Sequence, residues 1–240
     1  MNGFDERKCT QMIVNIGSYN IRHGADAAYD MQMIGKNITD KSLDIVGLQE
    51  VDQNAIRSNH LDTMKELAVA TGYEHYAFFK AIPLRGGAYG VGILSKYPIL
   101  KTECYLLDSE GTNEQRVLGR AAIDVEGETV QFFVTHLSYE STETRARQFK
   151  QINEVLKDFE NYILTGDFNT EDFEEFRLIE GAELVNDTDR RVPTFPSKML
   201  AIDNIVYDAK NLRFDAPMTV SKSYSDHYML YAKGIFKPRK

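Results

Sequence analysis

Apolar residues in this chain fall into short runs broken by turn formers. Residues 12–20, 44–49, 75–79, 91–95, 99–106, 120–125, 129–136, 162–165, 201–207 and 228–233 are rich in Val, Ile, Phe and Tyr, and each reads as a strand. Glu126-Gly127-Glu128 separates two of them and predicts a hairpin turn. Arg85-Gly86-Gly87 reads as a loop. Helical spacing is rarer. Leu61, Met64, Leu67 and Ala68 share a helical stripe, with Gly72 where a C-terminal cap belongs. Residues 143–159 place Phe149, Ile152, Leu156 and Phe159 on one face, with Ser141 or Thr142 as the cap and Glu143 favourable in the first turn. A third helix is expected over 27–38.

Some ten strands with interspersed helices exceed one small sheet. Two packed sheets with helices outside satisfy the pattern, an α/β architecture. No repeat, low-complexity tract or linker appears, so residues 1–240 are expected to form a single domain.

Composition changes this picture only at the margins. The chain is 42% hydrophobic and 27% charged, enough for a sizeable core and against disorder. Its formal net charge is −8, which opposes a protein that grips nucleic acid mainly through phosphates. Cys9 and Cys104 show no motif spacing, which argues against a disulfide scaffold or a zinc–cysteine site. The first ten residues are polar and charged, and no run of about 18 apolar residues occurs. A cytoplasmic protein without a transmembrane segment is expected, unless an export signal was trimmed.

The chemistry sits where strands stop or start. Tyr19-Asn20 and Gln49-Glu50 close two apolar runs, and Gly166-Asp167-Phe168-Asn169 closes a third. Ser225-Asp226-His227 opens the last strand. An Asp can serve as base or ligand and an Asn as a neutral donor, although both also build Asx turns. Gly166 is read as the residue that lets the chain turn tightly into a site. His136 ends 129–136 in parity with Val130, Phe132 and Val134, where a hydrogen-bonded core histidine is the ordinary role. Asp203 stands inside a strand, is unfavourable there on propensity, and needs a partner such as a histidine. Two carboxylates about 4 Å apart repel by roughly 4 kcal/mol at an effective dielectric of 20. Gathering Glu50, Asp167, Asp203 and Asp226 therefore calls for protonation or a dication. Oxygen donors favour Mg²⁺ or Mn²⁺, with Ca²⁺ also compatible, over zinc.

In this order, Tyr19-Asn20, Gln49-Glu50, Thr135-His136-Leu137, Gly166-Asp167-Phe168-Asn169, Ile202-Asp203 and Ser225-Asp226-His227 resemble the endonuclease/exonuclease/phosphatase superfamily, the DNase-like fold. The segment from Tyr89 to Ile99 is similar to the family's central stretch. The resemblance implies a four-layer α/β sandwich with two mixed β-sheets packed face to face. It implies that Asn20 and Glu50 help hold the metal, with Asp226 near the same site. Asp167 and Asn169 would handle the nucleophile and the scissile phosphate. Asp203 would orient His227, and His136 would donate to a non-bridging or leaving oxygen. The Thr-His-Leu cluster looks like the deoxyribonuclease, sphingomyelinase and phosphoinositide phosphatase branches. The asparagine-containing motif of apurinic-site endonucleases is not seen, and Thr194-Phe195-Pro196-Ser197 resembles small bacterial members.

The expectation is a divalent-metal-dependent hydrolase, acting by in-line attack of water on a small-molecule, sugar or lipid-headgroup phosphoester, and working as a monomer. His227, with Asp203 behind it, is preferred over Asp167 for activating the water. Cleavage of DNA or RNA is the alternative, and a non-catalytic binding module ranks third. Arg57, Arg116, Arg120 and Arg145 are candidate phosphate contacts, with Arg116 ranked first, although a surface charge or salt bridge is the ordinary role of each.

Overall fold

The computed structural model describes residues 11–110, 114–220 and 224–237; the first ten residues, including Cys9, lie outside them. The strands in chain order are β1 (Ile13–Asn20), β2 (Ile45–Gln53), β3 (His75–Leu84), β4 (Gly87–Ser95), β5 (Ile99–Leu106), β6 (Val117–Val125) and β7 (Glu128–His136). They continue with β8 (Tyr162–Asp167), β9 (Ala182–Leu184), β10 (Asp203–Asp208), β11 (Leu212–Phe214), β12 (Met218–Val220) and β13 (Met229–Phe236). The α-helices are α1 (Met31–Asp40), α2 (Thr63–Thr71) and α3 (Thr142–Leu156). One sheet runs β11-β13-β1-β2-β4-β3, with β12 also paired to β13; the other runs β5-β6-β7-β8-β10-β9. Both are mixed: β1–β2 and β7–β8 are parallel within otherwise antiparallel ladders.

Strand alternation sorts the apolar residues into three layers. Ile16, Ile45, Ile93, Phe132, Val134, Ile163 and Ile205 meet between the two sheets. Their chain neighbours face outward. Val46, Leu48 and Leu94 pack beneath Ile34 and Ile38 of α1 and Met64 and Leu67 of α2. Phe133, Leu164 and Val206 pack beneath Phe149, Ile152 and Leu156 of α3. The result is the four-layer α/β sandwich. Gly47 of β2 lets the sheets approach near their polar end: a Cβ there would lie 1.9 Å from Thr165 Oγ1.

Every strand run read from the sequence is present, most of them longer. The three three-residue strands β9, β11 and β12 add to that set. Glu126 and Gly127 make the β6–β7 turn, both at positive φ. Helix α2 ends at left-handed Gly72, and Ser141 caps α3 by accepting from the Thr144 amide. Helix α1 starts four residues later than expected. Ala28 and Tyr29 are left-handed at φ 51° and 64°, and the Asp30 side chain caps the helix by accepting from the Gln32 amide.

Candidate active site

Strands β1 and β2 of one sheet and β7, β8 and β10 of the other bring their polar ends together. His136, Asp167 and Asp203 form one row: His136 pairs with Asp167 across β7–β8, and Asp167 with Asp203 across β8–β10. All three share the parity of residues that face the opposite sheet. Asn20 ends β1 on the facing sheet in the same way, two positions beyond Ser18.

Glu50 reaches the site by another route. Leu48 pairs with Gly92 and Val51 with Gly90, so Gln49 and Glu50 together oppose the single residue Val91. This β-bulge puts Glu50 at φ 55°. Under plain alternation Glu50 would follow Val46 and Leu48 beneath the helices. The bulge leaves Leu48 and Val51 there and turns Glu50 out of the ladder toward Asn20.

The residues are bonded to one another. Asn20 Nδ2 donates to Asp167 Oδ2 at 2.9 Å and to Glu50 Oε1 at 3.2 Å. His227 Nδ1 lies 2.8 Å from Asp203 Oδ2, and its Nε2 faces Asp167 Oδ2 at 3.6 Å. The mid-strand Asp203 thus has the histidine partner its propensity demanded. Thr194 Oγ1 accepts from the amides of Ile202 and Asp203 at the entry to β10, and the Phe195 ring lies 4.9 Å from the His227 ring. Ser225 donates to the Asn20 carbonyl at 2.7 Å, tying the last loop to the end of β1.

Asn169 stands at φ 53° and closes an Asx turn, its amide donating to Asp167 Oδ1 at 3.0 Å. The turn that competed with a functional role here is what aims the side chain. Gly166, read as the turning residue, is not one: it lies within β8, and a Cβ would press on Thr135 at 2.9 Å. Asn169 Nδ2 donates to the Leu137 carbonyl at 2.9 Å and reaches His136 Nε2 at 3.0 Å. That contact makes Nε2 an acceptor and assigns the His136 proton to Nδ1.

Electrostatics separate these groups. Burial, then the nearby Asp203 charge, raises the Asp167 carboxyl to about 7. Burial alone would lower His227, but the charges of Asp203 and Asp167 and the Asp203 hydrogen bond outweigh it and raise the imidazole to about 10. In the metal-free site His227 is therefore an imidazolium at neutral pH. Burial, reinforced by Arg116, drives His136 well below its ordinary value and keeps it neutral. Burial would raise Glu50, but its hydrogen-bond partners His23 and Asn20 hold it at about 2.

The row opens into a cleft of about 530 Å³. Arg57 and Arg116 line it. Arg120 and Arg145 do not: Arg120 pairs with Glu103 beneath the Phe159 ring, and Arg145 forms two 3.0 Å bonds to Glu175. Sequence reasoning missed Glu114 and Asp52, which hold the two cleft arginines. Their i,i+2 and i,i+5 spacing to those arginines is the one signal available.

Oxygen donors for a metal are present. Glu50 is ionised, and Asn20 and Asp226 supply an amide and a second carboxylate, the hard set that Mg²⁺ or Mn²⁺ prefers. Arg22, with Nε 3.7 Å from Asp226 Oδ2, supplies positive charge there. Asn20 Oδ1 accepts from the Arg22 amide, so holding a cation through that oxygen requires the side-chain amide to turn over. Asp167, Asp203 and His227 also bring one ligand atom each within 4.8 Å of one another. His227 would have to lose a proton before it could ligate a cation there, whereas Glu50 is already ionised.

The endonuclease/exonuclease/phosphatase family model matches residues 17–227. The chain belongs to that family. Its members are hydrolytic phosphoesterases, and the matched span holds every residue of the row. No curated protein matches the chain. Among solved structures it is similar to an endonuclease/exonuclease/phosphatase of Beutenbergia cavernae, with TM-score 0.78 and 21% identity over 94% of this chain and 72% of that one. A mannosyl-6-phosphatase of Bacteroides thetaiotaomicron gives TM-score 0.75 and 18% identity, covering 93% and 100%. D. rerio TDP2 complexed with a single-strand DNA product gives 0.71 and 19%, covering 92% and 98%. At these identities the likeness is one of fold.

Proposed function

We propose that this family member is a divalent-metal-dependent phosphoesterase that hydrolyses a small-molecule, sugar-linked or lipid-headgroup phosphoester by in-line attack of water. The observation that carries this reading is the shared cleft end where Asp203–His227, Asp167, Asn169 and His136 meet Asn20 and Glu50 from the opposite sheet. Glu50, Asn20 and Asp226 would hold the cation. When bound, it would offset negative charge on the phosphoryl oxygens.

The protein's own groups supply the rest. Asp203 fixes His227 through Nδ1 and leaves Nε2 directed at Asp167. The two form a coupled pair, and we assign to that pair the uptake of the water's proton. Asn169 and His136 are assigned to the phosphoryl oxygens, on the condition that substrate breaks their Nδ2–Nε2 contact and the His136 proton moves to Nε2. Such groups act most strongly where they are fixed before the charge develops, and the Asx turn fixes Asn169.

The structural neighbours include both a mannosyl-6-phosphatase and a DNA-bound TDP2 at similar identity, so they favour neither substrate. The net charge of −8 disfavours a long polyanion. A panel of phosphomonoesters, phosphodiesters and plasmid DNA, each with Mg²⁺ or with EDTA, tests the reading. Turnover of small esters that EDTA abolishes is expected. Plasmid cleavage well above the small-ester rates would replace this reading with the nuclease one.

A further inference from the structure

Beyond the catalytic row, one wall of the cleft is built from charges that are already neutralised. Arg57 donates through Nε and Nη2 to fully buried Asp52, both at 2.8 Å. Its guanidinium lies over the Tyr89 ring, 5.2 Å from the centroid. Arg116 is 4% exposed, and its Nη1 lies 2.6 Å from Glu114 Oε1. Tyr89 interacts with both members of that pair. Burial, and then the charges of Glu50 and Glu114, hold the Tyr89 phenol well above its ordinary pKa, so it remains a donor. Arg116 Nε is buried at the cleft and has no hydrogen-bond partner among the described residues. A buried, unpaired N–H calls for an acceptor.

A guanidinium that has its own carboxylate is a poor site for a second anion. It is a good site for a hydroxyl, which can accept from the guanidinium and donate to the carboxylate. Nucleic acid would instead select cations in excess of carboxylates. Phe195, Leu200 and Ile202 also line the cleft and suit the carbon face of a ring, with the Lys198 ammonium 5.9 Å from the Phe195 centroid.

We propose that Tyr89, Glu114 and Arg116 form a subsite for adjacent hydroxyls of a neutral sugar or polyol esterified to the scissile phosphate. This rests on the phosphoesterase reading and names the leaving group for it.

Two measurements on the full chain, the first with Mg²⁺ and the second with Ca²⁺, test the subsite and its parent reading apart. The first compares kcat/KM for hexose phosphates and for aryl phosphate mono- and diesters, which carry no hydroxyls, in wild type, Glu114→Gln and Tyr89→Phe. Wild type is expected to prefer the hexose phosphates. Each variant is expected to lower kcat/KM on them about 10-fold or more, because a site built to bond hydroxyls loses discrimination when its polar groups are removed. Aryl ester rates should stay within about twofold of wild type. An equal loss on both substrates, or no loss on either, would overturn the subsite and leave the phosphoesterase reading standing.

The second measurement is calorimetric binding of a hexose 6-phosphate in Ca²⁺. Binding that weakens in Glu114→Gln, with no ester hydrolysed by wild type, would keep the subsite and sink the parent reading. No binding and no hydrolysis would sink both.

Discussion

Asp203 lies directly opposite Asp167 across the antiparallel β8–β10 pair, both carboxylates buried. Like charges so placed repel, and His227 on one side and Asn20 on the other offset the repulsion. Asp203→Asn keeps an oxygen acceptor for His227 Nδ1 but removes the charge. It is expected to lower kcat by about 10²-fold or more. A kcat within twofold of wild type would remove Asp203 from the catalytic set.

The same charges make the metal-free protein sensitive to pH. His227 is raised from 6.5 to about 10, so the stability it contributes is fully present below pH 6.5 and lost as pH rises toward 10. Asp167, raised to about 7 by burial and by Asp203, acts in the same direction at lower pH, between about 4 and 7. Thermal melts in EDTA should show wild type losing its advantage over His227→Gln between pH 7 and 10. A difference that stays constant or grows would contradict the sign.

Metal binding should be read from stability as well as from rate. Mn²⁺ at about 100 times its Kd would stabilise wild type by about 2.7 kcal/mol. Glu50→Gln removes one ionised oxygen donor and should lose most of that shift. An unchanged Mn²⁺ shift in this variant, measured by thermal denaturation, would move the cation to the Asp167–Asp203–His227 cluster.

Arg145 belongs to the scaffold behind the site. Its fork holds Glu175, which accepts from Thr170 at 2.7 Å, and Arg145 Nη1 reaches the Ser138 carbonyl at 3.4 Å. The pair therefore clamps the loop after His136 to the loop after Asn169. Arg145→Met leaves Glu175 buried without its partner and should cost about 3–5 kcal/mol. Arg145→Met/Glu175→Met should recover much of it. Urea denaturation of both variants checks this, and equal losses would show that the fork matters for more than its charge balance.

Gly47→Ala tests the close approach of the sheets. The new methyl would lie 1.9 Å from Thr165 Oγ1, and overpacking of this kind costs about 1–3 kcal/mol. Thr165→Ala in the same chain removes the nearest atom and should restore part of the loss in a thermal melt.

Most of the polar row at the cleft was legible because each member adjoins a long apolar run with strong strand character. Asn20, His136 and Asp167 close such runs, and Asp203 betrayed itself as a charge inside one. What stayed hidden depended on partners distant in sequence or on local backbone. Arg120 meets Glu103 and Arg145 meets Glu175, contacts 17 and 30 residues apart that no periodicity reports. Strands of three residues are too short to display a period of two. Gly166 was assigned its role from the habit of glycine in turns, whereas the crowding of Thr135 is a property of the assembled sheet.

The bulge at Glu50 makes chain length itself part of the site. Removing any one residue between Leu48 and Val51 would restore an unbroken ladder against β4 and leave no surplus position to project from it. Such a deletion could retain a glutamate in the sequence and still lose its carboxylate from the cleft. On the proposed reading of Glu50, spacing in this segment matters as much as the identity of the acid.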